Sequence, residues 1–529
     1  MIIADTIYYN GNIYTISNMK NVSTIAVKNK KIIDMGSFDN LKKYISTNTK
    51  QIDLQQKTVL PGLIDSHMHL LLYGENKLKV NLIGLTKEEI LNKIKKESKN
   101  KASNGWIIGY GWNSENWIEN NPSKDDLDNL CIDNPIMLQR IDGHMIWVNS
   151  KALEIGGIKN DTPNPEGGEI LRNSNNKILG CLTDMAILPI WVVAPVSKAE
   201  FKNEAILEVQ KELFKYGITS CANSASTIED IEIIKNLYKN DMLKLRVYNV
   251  LSGEWGIWLT NKENEYLKKG IEVGLFEDKF TCRSVKTFMD GSLGSQSAAL
   301  SNDYSNKPNH KGTLVYDDDK LYNIISNVAD NGFQPMIHAI GDLAINKSIN
   351  VYEQLKDKLL RPRIEHFQIT TDNDIKRINE LEIFVSMQPM NSVADKSYVL
   401  SHIGHDRYKN AYAWKKVLEN GSIISGGSDA PFGDLNPFHG INAFVNNYED
   451  SFEDNELCQN CISREEAIKA YTIWSAYGQF EENIKGSLEV GKVADFIVID
   501  KDIMKCEVDE IKDIKVLKTI IGDEEVFSR

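Results

Sequence analysis

The chain has 529 residues, 42% of them hydrophobic and 26% charged, with a net charge of −13. A chain of that composition buries a large core, its acidic balance without a long basic run argues against nucleic acid as a partner, and no apolar run is long enough to span a membrane. The length exceeds one ordinary domain and suits one large barrel with additions.

The N-terminus, Met1 to Thr6, has no basic stretch leading into an apolar core. No signal peptide is therefore expected, and cytoplasmic residence follows. Residues 2 to 36 read as short strands: Ile7 to Tyr9, Asn12 to Thr15 and Ile25 to Val27 alternate or run apolar, with turns at Asn10-Gly11 and Asn29-Lys30. Matching strands recur at the far end, at Phe496 to Ile499, Val516 to Ile520 and Glu525 to Phe527. Few-stranded pieces are marginal alone, so residues 1–58 and 485–529 are expected to pair into one small β-sandwich domain.

Between the ends, strands alternate with helices, which predicts a parallel α/β architecture. The apolar stretch Val59 to Ile64 reads as a buried strand ending at His67 and His69. Further strands are expected at 218–221, 245–251, 284–289, 333–337, 363–365, 383–387 and 422–425. Eight parallel strands with intervening helices form a (β/α)8 TIM barrel, here 59–74 plus 196–484. The gap from His69 to Ile218 far exceeds one crossover. Residues 75–195 are therefore expected to form an inserted α+β subdomain capping the barrel mouth, with a helix at 88–96, a Trp- and Gly-rich segment at 106–113 and a strand at 135–138. The seven cysteines are odd in number and scattered, which does not suggest a disulfide framework, and Cys458-x-x-Cys461 has no second pair to complete a zinc site.

Barrel active sites lie at the C-terminal ends of the strands. Reading only those ends gives His67 and His69, Lys286, His338, His366 and Asp429. Of only nine histidines, four fall where a barrel would converge them. Alternation along a strand also puts His67 and His69 on one face, poised to grip one divalent cation. His310, His402, His405 and His439 lie off the strand ends and read as surface or loop residues. Asp290 and Gln388 end strands four and seven as candidate polar contacts. Trp112 and Trp106 are read either as pocket walls or as packing. No G-x-S-x-G elbow supports serine-hydrolase chemistry.

The motifs Pro61-Gly62-Leu63-Ile64-Asp65-Ser66-His67-Met68-His69, Arg140-Ile141-Asp142-Gly143-His144, Asp290-Gly291-Ser292-Leu293-Gly294-Ser295, His338-Ala339-Ile340-Gly341-Asp342, Ile364-Glu365-His366 and Gly427-Ser428-Asp429-Ala430-Pro431, with the closing Gly491 to Phe496, resemble the amidohydrolase superfamily. Within it the match is to the amidohydrolase-3 group of YtcJ-like proteins and N-substituted formamide deformylases. The resemblance implies a metal-dependent hydrolase acting on a C–N bond of a small molecule, an amide, formamide or related group. It implies His67, His69, His338, His366 and Asp429 as ligands of one or two divalent ions, zinc being the first choice. Asp429 would also be the general base and then acid. Lys286 would be a carboxylated lysine bridging two metals, a substrate-binding charge, or a residue pointing out of the barrel. His144 would hold a substrate carbonyl or oxyanion, or be structural. The alternatives are hydrolysis of an ester, carbamate or ring C–N bond, and a regulatory or binding protein that kept the fold. Neither a nucleic acid nor a membrane is an expected partner, and a homodimer is left open.

Overall fold

The computed structural model describes residues 2–17, 21–77, 79–102, 105–115, 117, 122–194, 199–252, 261–355, 358–446 and 460–529. Eight strands, Leu63–Met68, Ile218–Ser226, Arg246–Leu251, Phe280–Phe288, Gln334–Ala339, Arg363–His366, Phe384–Met387 and Ile424–Gly426, form the barrel. Each pairs in parallel with the next in chain order. The last returns to the first through the Asp429 N–H, which donates to the His67 carbonyl at 2.7 Å, and the Ser428 N–H, which donates to Asp65 Oδ1 at 3.0 Å. Strands such as 246–251 and 334–339 are buried at every position, because side chains fill one face and helices cover the other.

The outer helices follow from capping and periodicity. Thr227 accepts from the Asp230 N–H to start helix Ile228–Lys239, whose Ile231, Ile234, Leu237 and Tyr238 recur at three- and four-residue intervals and are buried. Helix Ala199–Lys215 similarly buries Ile206, Val209 and Leu213. No helix among the described residues is long and apolar enough to cross a membrane.

The chain ends share one core. A four-stranded sheet holds Thr6–Tyr9, Thr24–Lys28, Lys31–Gly36 and Lys50–Asp53, and a six-stranded sheet joins Asn12–Tyr14, Asn21–Val22 and Thr58–Pro61 to Phe496–Ile499, Val516–Ile521 and Glu524–Ser528. Tyr8 and Phe496 meet edge to face at 4.8 Å between the two sheets. The apolar run expected as one strand from Val59 is in fact two. Thr58–Pro61 pairs antiparallel with Phe496–Ile499, so the terminal sheet runs past the boundary expected at residue 58. Gly62 makes the step into the barrel, and a Cβ there would stand 2.1 Å from Thr219 Oγ1.

The segment inserted after the first strand carries a six-stranded sheet ordered 170–172, 178–183, 145–148, 136–140, 107–112, 80–81. Helix Lys87–Ser98 packs on it, opened by a reciprocal Thr86–Glu89 capping box. Cysteines 131, 181, 221, 282 and 506 carry free thiols, while Cys458 lies outside the described residues.

Candidate active site

Side chains from several strand ends converge at the barrel mouth. His67 and His69 each place Nε2 3.3 Å from Asp429 Oδ1. Candidate ligand atoms of His67, His366 and Asp429 all lie within 4.8 Å of one another, and the three residues are buried. The His338 ring stands 4.4 Å from that of His366. Lys286 points inward, its Nζ 3.0 Å from His67 Nε2 and 4.6 Å from the Phe288 ring centroid. The reading that turns Lys286 out of the barrel is therefore excluded.

Two observations fit this cluster to a cation. Asp429 Oδ1 and His366 Nδ1 are buried and make no hydrogen bond, which is costly unless another partner is supplied. Burial also pulls the His69 imidazole down to about 4 and that of His366 to about 3, and His338 falls well below the ordinary range. Neutral imidazoles keep the lone pairs that a metal needs. Burial opposes ionisation of Asp429, but the surrounding histidines outweigh it and hold the carboxyl well below its usual range. The donor set is thus nitrogen-rich with one carboxylate. Burial lowers the Lys286 ammonium to about 8, against the pull of Asp429 and Glu365.

Backbone strain sits at the same place. His366 has φ 75°, Phe367 48° and Asp429 56°. Non-glycine residues in the left-handed region cost energy and cluster at functional sites.

A further shell orients His67. Its Nδ1 is bonded to Glu365, which is fully buried. The Glu365 carboxyl, although buried, is held at about 2 by the Arg363 guanidinium and His67. Arg363 Nη2 in turn donates to the Ser66 carbonyl at 2.6 Å. Such partners fix the tautomer and angle of a ligand histidine. Sequence reasoning gave Glu365 no role, although an acid inside a four-residue buried strand was the available signal.

The insertion completes the site. The His144 ring lies 5.1 Å from that of His338 and 6.2 Å from Phe288, and His144 Nδ1 is 2.7 Å from Asp184 Oδ1. Burial disfavours the charged His144 ring, but Asp184 outweighs it and raises the pKa above the ordinary value. Asp184 was also missed; it enters from a distant strand end that only the fold brings near. Asp142 docks the insertion onto the barrel, accepting from Ser292 Oγ and, at 3.1 Å, from Ser295 Oγ. A cavity of about 1110 Å³ runs from His69, Lys286, His338, His366 and Asp429 outward past His144 to Trp106.

Trp112 and Gln388 lie away from the cavity. Trp112 is fully buried beside Trp117 and Trp147, and its Nε1 donates to the Leu138 carbonyl at 2.7 Å. A bulge between Tyr110 and Trp112, with Gly111 at φ 101°, turns it to the sheet face away from the cavity. Gln388 is buried with Nε2 3.4 Å from the Ser386 carbonyl, and it does not line the cavity. Asp290 does line it, but its carboxylate accepts backbone N–H groups of Ala299, Ile340 and Gly341 at 2.8–3.0 Å. Those bonds oppose burial, which still pushes its carboxyl up to about 7. Asp290 therefore ties strand ends four and five together rather than offering oxygens to a ligand. His402, expected as a surface or loop residue, lies in helix Val399–Tyr408, is 4% exposed, and has its Nδ1 3.2 Å from the Leu293 carbonyl.

A parallel eight-stranded barrel with a nitrogen-rich cation site at its C-terminal mouth defines the class of metal-dependent barrel hydrolases. The sequence matches the family model described as "Amidohydrolase family" over residues 50–527, and the chain belongs to that family, in its amidohydrolase-3 group. It is 32% identical to the putative amidohydrolase YtcJ of Bacillus subtilis, covering 99% of both chains. It is 31% identical to Protein LONG AFTER FAR-RED 3 of Arabidopsis thaliana, covering 99% of this chain and 92% of that one. The N-substituted formamide deformylase of Arthrobacter pascens is 22% identical over 98% of this chain and 97% of its own. Among solved structures, an uncharacterised metal-dependent hydrolase from Pyrococcus furiosus superposes with a TM-score of 0.74 at 28% identity, covering 94% of this chain and all of that one.

Proposed function

We propose that the protein hydrolyses a C–N bond, an amide, formamide or related group, of a small molecule, with zinc as the ion and the cytoplasm as its setting. The observation that carries the reading is the convergence of His67, His69, His366 and the orphaned Asp429 Oδ1 on one buried point. A divalent ion held there would polarise the scissile carbonyl and acidify water at neutral pH. Asp429, ionised and beside that point, takes a proton from the attacking water and returns it to the leaving nitrogen. His144, engaged with Asp184 at Nδ1, keeps its other ring nitrogen for the substrate oxygen. Lys286 accommodates one ion as a bare amine or two if carboxylated. A lowered pKa favours carboxylation, because carbon dioxide adds to the neutral amine.

The test is turnover of N-formyl and N-acyl amines, with an ester panel beside them, by metal-loaded protein. Hydrolysis of amides at rates above those of the matched esters is expected. Turnover of esters alone would reject the C–N assignment. No turnover at all would favour a regulatory or binding role on the retained fold.

A further inference from the structure

The cavity continues past the histidines, and its outer wall is apolar. Ile108 and Met137 face it from adjacent strands of the inserted sheet, with Trp106 just before the first of them. Strand alternation sends Ile107, Ile136 and Leu138 to the opposite core. Ile187 and Trp191 close the wall from the helical stretch after Asp184. Trp106, Ile108 and Trp191 are only partly buried although they pack on the core behind them, so part of their apolar surface is turned to the cavity.

The charges at the same mouth are balanced. Lys202 Nζ sits 2.8 Å from Asp230 Oδ1 and 3.8 Å from Glu75 Oε1. The Lys79 ammonium lies 5.7 Å from the Trp191 ring centroid; burial pulls it down to about 8, against the opposing effect of Glu75, and Glu97 and Lys101 line the rim with opposite signs. Glu229, the fourth carboxylate at that rim, has its Oε1 3.2 Å from Lys262 Nζ, so with this pair counted neither sign is in excess to select a charged substrate tail.

We propose that the inserted segment provides a subsite for an alkyl or aryl arm attached next to the scissile bond. Specificity then resides in Trp106, Ile108 and Trp191, backed by the buried Met137 and Ile187, while the strand ends supply the chemistry. The proposal rests on the metal-centre reading to place the reacting group at the inner end. Burying a methylene against such a wall should tighten binding about fourfold.

The test uses the metal-loaded enzyme and a ladder of n-alkyl hydroxamic acids from acetohydroxamic to octanohydroxamic acid, whose heads chelate metals, read by calorimetry. A parallel ladder of n-alkanols from propanol to octanol, which lack a chelating head, is read by saturation-transfer NMR. The expected result is a threefold to fourfold gain per methylene over the first steps, flattened in a Trp106→Ser/Trp191→Ser variant of unchanged metal content. Binding of acetohydroxamic acid with no gain along the ladder would overturn the apolar subsite and leave the metal centre standing. Failure of every hydroxamate would instead remove the metal-centre reading. The alkanols then decide: a gradient abolished by the double variant sustains the subsite, and a flat one overturns it.

Discussion

Asp184 holds His144 through a 2.7 Å contact between its Oδ1 and the ring Nδ1, and the rest of the structure makes room for that contact. Asp184 adopts φ 44°, and a Cβ on Gly291 would stand 2.8 Å from its Oδ2 and 2.0 Å from Ser297 Oγ. A hydrogen bond involving a charged partner is worth about 1.5–3 kcal/mol. Asp184→Asn should therefore lower kcat/KM roughly 10- to 100-fold, and Gly291→Ala should act in the same direction by displacing the carboxylate. Because His144 is assigned to the developing charge, kcat should fall more than KM rises. Steady-state kinetics on the best substrate check this, and wild-type values in both variants would remove the pair from the site.

Metal removal should read on stability as well as activity. A ligand that binds only the folded state at a hundred times its Kd stabilises by about 2.7 kcal/mol. Chelator treatment should lower Tm and zinc should restore it. The His67→Ala/His69→Ala protein should show little difference between loaded and stripped forms and reduced metal by elemental analysis. Unchanged metal content in that variant would refute the assignment.

The barrel was legible because its strands are short, apolar and separated by capped helices, and because the histidines fall at their ends. His67, His69, His338, His366, Asp429 and the inward Lys286 come together from those local signals. What stayed hidden depends on tertiary detail. Trp112 follows a bulge at Gly111 that strand alternation alone does not reveal. Glu365 and Asp184 act through histidines distant in sequence, and Gln388 and Asp290 end strands without offering free oxygens to the cavity. The split of the first apolar run at Gly62 reflects pairing with Phe496–Ile499, a contact no local pattern encodes.

Trp112 should behave as a core residue. Trp112→Phe removes a buried donor to the Leu138 carbonyl, at a cost of about 1–3 kcal/mol. Tm should fall while KM for short substrates stays near wild type. A large KM change with unaltered Tm would restore Trp112 to the pocket.

Asp395 offers a pH test away from the metal centre. It accepts from Tyr398, Tyr412 and Gln368, and Arg140 also favours its charge, but burial is the larger effect and pushes the carboxyl up to about 6. The raised value means that the folded state binds this proton more tightly than the unfolded chain, whose pKa is ~3.9. The associated stability is full below ~4 and is lost as pH rises to about 6. Relative to wild type, Asp395→Asn should therefore gain stability between pH 4 and pH 7, by roughly 3 kcal/mol at most. Paired Tm measurements across that range check the sign, and a constant difference would reject the shift.

Asp429→Asn is the sharpest separation of an enzyme from a relic. Asp429 lies in the left-handed region at φ 56°, which asparagine tolerates better than most residues, so the backbone should persist. Its N–H still donates to the His67 carbonyl, and the side chain keeps one oxygen for an ion. What asparagine cannot do is accept and return a proton at neutral pH. Acid–base catalysis of this kind contributes ~10²–10⁴-fold, so kcat should fall by about that range, with smaller changes in KM and metal content. Alanine at the same position should lose metal as well, which separates ligation from proton transfer. Near wild-type turnover in Asp429→Asn, with metal retained, would take Asp429 out of the mechanism and assign the proton to another group at the barrel mouth.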